Sequence, residues 1–148
     1  MVNEKSFGSV VFRKEGKQIF YLLLFRKAHD HYSELWDFPR GLIKENEDPE
    51  ETASREVMEE TGLGGLKFIS GFKEKVNWFY KKNGVLVNKE ATYFLAQSKN
   101  KDVKLSNEHD DFRWCSFEVA LELITYNNTK KVLEKVDEFL KNSLISYY

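Results

Sequence analysis

One run of small and charged residues between positions 41 and 63 constrains this chain more than any other feature. Seven of its positions hold glycine, arginine or glutamate at fixed spacing: Gly41, Glu47, Arg55, Glu56, Glu59, Glu60 and Gly62. Aliphatic Val57 and Leu63 lie among them. With ordinary residue frequencies, such a pattern arises by chance on the order of once per million chains or less. It therefore indicates a specific local structure with a specific chemistry.

The same run predicts a helix with defined ends. Asp48 is a good N-cap, and Glu51 follows three residues later, as in a capping box. Pro49 suits the first helical position, where its missing N–H costs nothing. Gly62 suits the left-handed conformation that ends many helices. We therefore expect a helix over Pro49–Thr61.

Three carboxylates share one face of this predicted helix. Glu56, Glu59 and Glu60 are spaced i, i+3 and i+4, which places their side chains within roughly a 100° arc. Like charges at this spacing repel each other, so the cluster needs a counter-charge. Oxygen ligands at this density suit Mg²⁺, Mn²⁺ or Ca²⁺ rather than zinc. Arg55 can orient one carboxylate while the others bind metal, and Gly41 lets the backbone approach a phosphate closely.

Length and charge limit the remaining possibilities. A chain of 148 residues suits one compact domain, which we take to span residues 1–148. The net charge of −1 gives no overall attraction to nucleic acid or to an anionic membrane. Cys115 is the single cysteine, which fits a reducing compartment. We find neither a signal peptide nor an apolar run long enough to span a bilayer, so we expect a cytoplasmic protein.

Apolar periodicity predicts the other elements. Asn83 and Gly84 form a two-residue hairpin signal, and the ISYY segment at the C-terminus is expected to be frayed. The strands are expected at residues 9–12, 19–25, 35–39, 76–80, 91–97 and 112–115, and the helices at residues 116–124 and 129–140. This order of strands and helices predicts the α/β class, an α/β/α sandwich around a mixed central β-sheet.

The pattern of the first run, G-x5-E-x7-R-E-U-x-E-E-x-G-U with U aliphatic, resembles the Nudix box without a mismatch. Nudix enzymes hydrolyse a pyrophosphate bond in a nucleoside diphosphate joined to another group, using divalent metal. The resemblance implies that Glu56, Glu59 and Glu60 bind Mg²⁺ or Mn²⁺, which activates water and neutralises phosphate charge. The general base varies within the family. Glu56 is one candidate, and Glu108 in the later loop SNEHDDF is the other, with a further metal ligand as its alternative role.

Flanking segments resemble the asymmetrical diadenosine tetraphosphate hydrolases, which split their substrate into ATP and AMP. The similar segments span about residues 5–140 in family order: KSFGSVVFR, LLLF, WDFPRG, GFKEKVNW, KEATYFLA and LSNEHDDFRW. The resemblance places Trp78 and Phe112 where two aromatic rings sandwich an adenine, although the family usually has tyrosine at both positions. It places Lys89 and Tyr93 at positions that contact the phosphates.

The chain departs from this family next to the box. The family commonly has Lys-Gly-His where this chain has Arg40, Gly41 and Leu42. Arg40 keeps the positive charge and can bind phosphate oxygens through two N–H groups. Leu42 can neither hydrogen-bond nor titrate. Only His109 is placed to supply a nearby imidazole, because the histidines at positions 29 and 31 lie in a polar loop that is expected at the surface.

Three functions remain open from the sequence. The first is metal-dependent hydrolysis of diadenosine tetraphosphate and related dinucleoside polyphosphates by a monomer or homodimer. The second is a Nudix pyrophosphohydrolase of RNA 5′-triphosphate ends or of other nucleoside diphosphate conjugates. Against RNA, the sequence has no Lys/Arg-rich stripe that would track a backbone. The third is a nucleotide-sensing module with a decayed site, which the complete set of glutamates disfavours.

Overall fold

The computed structural model describes residues 1–30 and 32–143. His31 and the ISYY segment, for which we expected a surface position and fraying, lie outside the described residues. The strands are β1 (Val2–Glu15), β2 (Gln18–Arg26), β3 (Leu35–Asp37), β4 (Arg40–Leu42), β5 (Lys67–Phe68), β6 (Glu74–Lys82), β7 (Val85–Gln97) and β8 (Asp111–Cys115). The helices are α1 (Pro49–Thr61), α2 (Phe117–Leu123) and α3 (Asn127–Asn142). None of the helices described here is long and apolar enough to cross a membrane.

Strand β1 is the centre of one mixed sheet. The sheet order is β3-β2-β1-β7-β5, with β4 also on β1, β6 on β7 and β8 on β2. Strand β1 pairs antiparallel with β2 and β4, and parallel with β7 from Val2↔Val87 to Phe12↔Gln97. This one parallel pairing makes the sheet mixed, as predicted.

The two faces of the sheet bury separate cores, because successive side chains of a strand point to opposite faces. Val10, Phe12 and Leu23 belong to a cluster with Val136 and other apolar residues of α2 and α3. Val11, Leu22 and Leu24 belong to a second cluster that includes Val57 of α1. Helices therefore cover both faces, and the α/β/α sandwich is confirmed.

Helix α1 begins and ends as predicted. Asp48 caps it in a complete capping box with Glu51, and Gly62 ends it at φ 73°. The hairpin at Asn83 and Gly84 is also confirmed, with φ of 52° and 78° at the two residues. The predicted strands are all present, but several are longer than expected. Strands β4 and β5 were not predicted, because segments of three and two residues are too short to show a period.

Candidate active site

The box loop is held by Arg55 and Glu47. Arg55 donates from Nε to Glu47 Oε2 at 2.6 Å and from Nη2 to Oε1 at 3.0 Å. Glu47 also accepts hydrogen bonds from the backbone N–H of Lys44 at 3.0 Å and from Thr52 Oγ1 at 2.9 Å. These bonds, with Arg55 as the largest cause, lower the pKa of Glu47 to about 2. Glu47 therefore ties the loop to the helix.

Arg55 binds more carboxylates than we expected. Its Nη1 donates to Glu56 at 2.8 Å and to Glu59 at 3.1 Å, in addition to both bonds to Glu47. Its Nη2 also donates to the backbone carbonyl of Leu42. Within residues 1–30 and 32–143, no three His, Cys, Asp or Glu side chains are gathered as a metal site. Two of the four expected metal ligands, Glu56 and Glu59, are bonded to Arg55 in this structure.

The buried carboxylate of Glu60 indicates whether a cation fits this site. The residue is buried at 4% exposure, and its Oε2 has no hydrogen-bond partner in the part of the chain that the structure describes. Burial raises its pKa to about 9, and the negative charges of Glu56 and Glu108 add to the shift. A buried acid among other acids binds either a proton or a cation. The residues present therefore fit a divalent metal.

Gly41 makes room for Glu56. A Cβ atom at position 41 would lie 2.1 Å from the Glu56 carboxyl carbon and 2.2 Å from one of its oxygens. Strand β4 thus packs its backbone directly against the carboxylate on α1. We expected this glycine to let the backbone approach a phosphate. The structure gives it another role that depends on the same lack of a side chain, since any larger residue would displace Glu56.

Arg40 lies in a buried network that the sequence did not reveal. Its Nε donates to Asp37 Oδ2 at 3.0 Å, and its guanidinium carbon lies 5.1 Å from the centre of the Trp78 ring. Asp37 also accepts bonds from the backbone N–H of Phe38 at 2.7 Å and from the Tyr93 hydroxyl at 3.1 Å. Tyr93 has no exposed surface, and its hydroxyl is bonded to Asp37 in this network rather than lining the cavity.

These groups border a cavity of about 700 Å³. Its lining combines cationic and acidic side chains, among them Arg26, Asp37, Arg40, Glu60, Lys89 and Glu108. Burial, together with the neighbouring charge of Arg40, lowers the pKa of Lys89. The cavity thus brings together Glu60, Glu108, Arg40 and Lys89, which the sequence predicts to act on a polyphosphate.

The predicted pair of aromatic rings is not assembled. Trp78 packs against the core on the α2–α3 side of the sheet, and its ring centre lies 5.9 Å from that of Tyr126. Phe112 packs against the core on the α1 side, opposite Leu24 of β2. The sheet separates the two rings, so they cannot sandwich one adenine in this structure. The expectation failed because alternation along the strands determines which face a side chain takes.

Two histidines, His29 and His109, line the cavity. His109 lies 3.4 Å from Glu60 through Nε2, and its Nδ1 is buried without a partner among the described residues. Burial lowers its pKa. His109 is therefore the imidazole near the glutamates, as expected in view of Leu42. His29 is exposed as predicted, but it also lines the cavity.

Comparisons with known proteins identify the family of this chain. The model of the NUDIX domain matches residues 2–136. A mouse protein named bis(5′-nucleosyl)-tetraphosphatase [asymmetrical] is 32% identical over 143 residues, covering 90% of this chain and 92% of that protein. An RNA pyrophosphohydrolase of Bartonella bacilliformis is 40% identical over 77 residues, covering 51% of this chain and 44% of that protein.

Solved structures share the fold of this chain. A crystal structure of a C. elegans Ap4A hydrolase binary complex superposes with a TM-score of 0.80 at 32% identity, covering 94% of this chain and 98% of that one. The MutT protein from Methanosarcina mazei superposes with a TM-score of 0.68 at 26% identity. The match to the family model covers most of the chain and includes every residue of the box. This chain belongs to the Nudix family.

Proposed function

We propose that this protein hydrolyses dinucleoside polyphosphates, splitting diadenosine tetraphosphate into ATP and AMP. The observation that carries the proposal is the cavity in which the buried acid Glu60 faces the cations Arg40 and Lys89. The relatives that match nine tenths of the chain, from mouse and C. elegans, bear the name of this activity. Residues 1–148 would act as one Nudix domain, and the single cysteine supports a cytoplasmic location.

The acidic residues would hold Mg²⁺ or Mn²⁺. Glu56, Glu59, Glu60 and Glu108 are the proposed ligands, and oxygen donors of this kind suit either ion. When bound, the ion would supply an activated water and would neutralise charge on the phosphates. Glu59 is half exposed, while Glu60 is buried. Arg55 donates hydrogen bonds to Glu56 and Glu59. It would therefore position these two carboxylates for the ion.

The reaction consumes one water. Its oxygen forms a bond to a phosphorus of the polyphosphate, the bond from that phosphorus to the leaving oxygen breaks, and a carboxylate accepts the proton. Glu56 and Glu108 are the two candidates for that base. Glu56 is held rigidly by Arg55 and the Gly41 backbone, whereas Glu108 lies on an exposed loop at the cavity.

The cations would bind the polyphosphate chain. Lys89 lies in the cavity wall with a lowered pKa and a side chain that is partly buried. Arg40 is held in place by Asp37, and Tyr93 holds Asp37 from the core. We therefore assign Asp37 and Tyr93 as positioning residues for Arg40. Trp78, which stacks against Arg40, would offer an aromatic surface to one base. Phe112 would contribute only to packing in the core on the other face of the sheet.

Product analysis tests the proposal. The protein is incubated with diadenosine tetraphosphate, Mg²⁺ and ¹⁸O-labelled water, and the nucleotides are separated by chromatography. Equimolar ATP and AMP are expected, with the label on one product. Two molecules of ADP would contradict asymmetrical cleavage. Glu59→Gln and Glu60→Gln should each lower turnover by orders of magnitude, whereas a nucleotide-sensing module would keep its binding function in both variants.

A second candidate is hydrolysis of RNA 5′-triphosphate ends. It is favoured by the similarity to bacterial RNA pyrophosphohydrolases over 77 residues of this chain. The same chromatographic assay with a 5′-triphosphorylated oligonucleotide separates the candidates. Faster release of pyrophosphate from RNA than of AMP from the dinucleotide would favour the second.

A further inference from the structure

The side of the sheet opposite to Lys89 carries an exposed surface near the β6–β7 hairpin. Strand pairing brings Asn3 of β1, Asn88 of β7 and Phe79 of β6 into one row. Lys89 is the next residue along β7, so it points to the other face. Helix α1 covers this side further along β1, at Val11, but Asn3 and Phe79 remain exposed.

Amide side chains cross this surface as a ladder. Asn77 Nδ2 donates to Asn88 Oδ1 at 3.3 Å, and Asn88 Nδ2 donates to Asn3 Oδ1 at 3.2 Å. The ladder fixes three amide planes on three adjacent strands. Each end keeps hydrogen-bonding capacity, since the side-chain Oδ1 of Asn77 can accept and the side-chain Nδ2 of Asn3 can donate. We call the exposed side formed by Asn3, Asn77, Phe79 and Asn88 the amide face.

An exposed aromatic ring stands beside the ladder. Phe79 is 61% exposed, which is unusual for a phenylalanine in the middle of a strand. Leu86, which pairs with Lys81 on the neighbouring strand, is 41% exposed. A ring held by a strand and open to solvent offers a flat surface on which a planar group can stack.

Lysines surround the ring and the ladder. Lys75 and Lys81 lie on β6 at even spacing from Phe79, so they share its face, and Lys5 lies on the same face of β1. All three are exposed. The carboxylate of Glu90 lies 4.0 Å from Lys75. Strand register therefore gathers on the amide face lysines that form no stripe along the sequence, and three lysines face this one carboxylate there.

We infer that the amide face binds single-stranded nucleic acid. Such binding combines cations that follow the phosphates with aromatic rings on which bases stack, and amides that can bond to base edges. A second copy of this chain suits the surface less well, because a symmetric contact would bring the lysines of both copies together. Lysines on an edge strand such as β6 also oppose edge-to-edge pairing. The inference does not depend on hydrolysis, because no residue of the amide face lines the cavity.

Fluorescence anisotropy with a short labelled single-stranded RNA tests the inference. Binding is expected at low salt, and Phe79→Ala should weaken it at least about five-fold through lost stacking. Three lysines predict a slope of about −2 for the logarithm of the binding constant against the logarithm of salt concentration. Lys81→Gln should weaken binding and reduce that slope. Hydrolysis of diadenosine tetraphosphate should stay unchanged in both variants, because neither residue borders the cavity.

Lys82→Gln is the matched control, because Lys82 is also exposed and follows Lys81 on the strand but points to the other face. It should bind RNA as the unchanged protein does. Equal weakening by both lysine variants, or no binding at low salt, would overturn the inference. Light scattering that shows a dimer abolished by Phe79→Ala would overturn it as well, since a second copy would then occupy the surface. RNA binding without hydrolysis would leave the inference intact while rejecting the proposed function.

Discussion

Glu60 is buried, its Oε2 has no hydrogen-bond partner among the described residues, and burial with nearby negative charges raises its pKa from 4.5 to about 9. Without metal, the folded state keeps a proton that the unfolded state releases. The free energy of unfolding should therefore fall as pH rises from about 5 to about 9. Glu60→Gln should remove this contribution and raise the Tm of the metal-free protein near the upper end of that range. Scanning fluorimetry in chelator across these pH values measures the slope.

Addition of metal gives the complementary result. Mg²⁺ or Mn²⁺ should raise the Tm of the unchanged protein at alkaline pH, because a ligand that binds only the folded state stabilises it. It should raise the Tm of Glu60→Gln much less. Glu50→Gln, an exposed residue of the same helix, serves as the control. An unchanged pH slope in Glu60→Gln would contradict our description of Glu60.

Glu47 shows the opposite shift, since its pKa is lowered from 4.5 to about 2 by Arg55 and other donors. Its contribution to stability is present above about pH 5 and is lost as pH falls towards 2. Glu47→Gln should therefore lower the Tm at neutral pH, and the difference from the unchanged protein should shrink on acidification. Thermal melts followed by circular dichroism measure this difference. Exposed Glu45→Gln should show no such pH-dependent difference.

Strand β4 and helix α1 meet at Gly41, whose backbone packs directly against the Glu56 carboxylate. Gly41→Ala would place a Cβ atom 2.1 Å from the Glu56 carboxyl carbon, so the carboxylate must move. Displacement of a catalytic group by about 1 Å can cost roughly 100-fold in rate. We therefore expect kcat for diadenosine tetraphosphate to fall by about this factor while circular dichroism stays unchanged. Leu42→Ala, at the exposed neighbour, is the control, and full activity in Gly41→Ala would refute the packing role.

Helix α1 was predictable to the residue because all its boundary signals are local. Asp48, Glu51 and Gly62 act within one turn of the ends that they define. The first half of β1 was not predictable, because Glu4 and Lys5 give it no apolar alternation. It is a strand because β7 pairs with it, from far along the chain. Local patterns therefore predict capped helices and hairpins, but they do not predict strands that are stabilised by distant partners.

The residues of the site also divide into those that a local segment predicts and those whose roles depend on distant parts of the chain. The box glutamates were predictable from one contiguous segment. Asp37 was not, because its role depends on Tyr93, 56 residues away, and on Arg40. The sequence also did not predict that Trp78 and Phe112 lie on opposite faces of the sheet. Their faces follow from strand register, which short motifs do not specify.

This separation predicts different kinetic effects for the two rings. Trp78 lies against Arg40 and pairs across strands with Lys89, so Trp78→Leu should raise KM for diadenosine tetraphosphate. Phe112→Leu should leave KM unchanged and lower the free energy of unfolding by about 1 kcal/mol, because it changes only core packing. Steady-state kinetics and urea unfolding measure the two effects. A similar, non-additive rise in KM from both substitutions would show that the rings meet around the substrate.

The parallel pairing of β1 with β7 has a consequence during translation. Strand β1 is synthesised well before β7, and its long pairing is complete only once Gln97 has emerged from the ribosome. Until then one edge of the central strand has no partner, and the nascent chain exposes the apolar run around Val10 and Val11. Folding dominated by such distant pairings is slow and open to aggregation. Slower synthesis before β7 should therefore prolong the need of the nascent chain for chaperones.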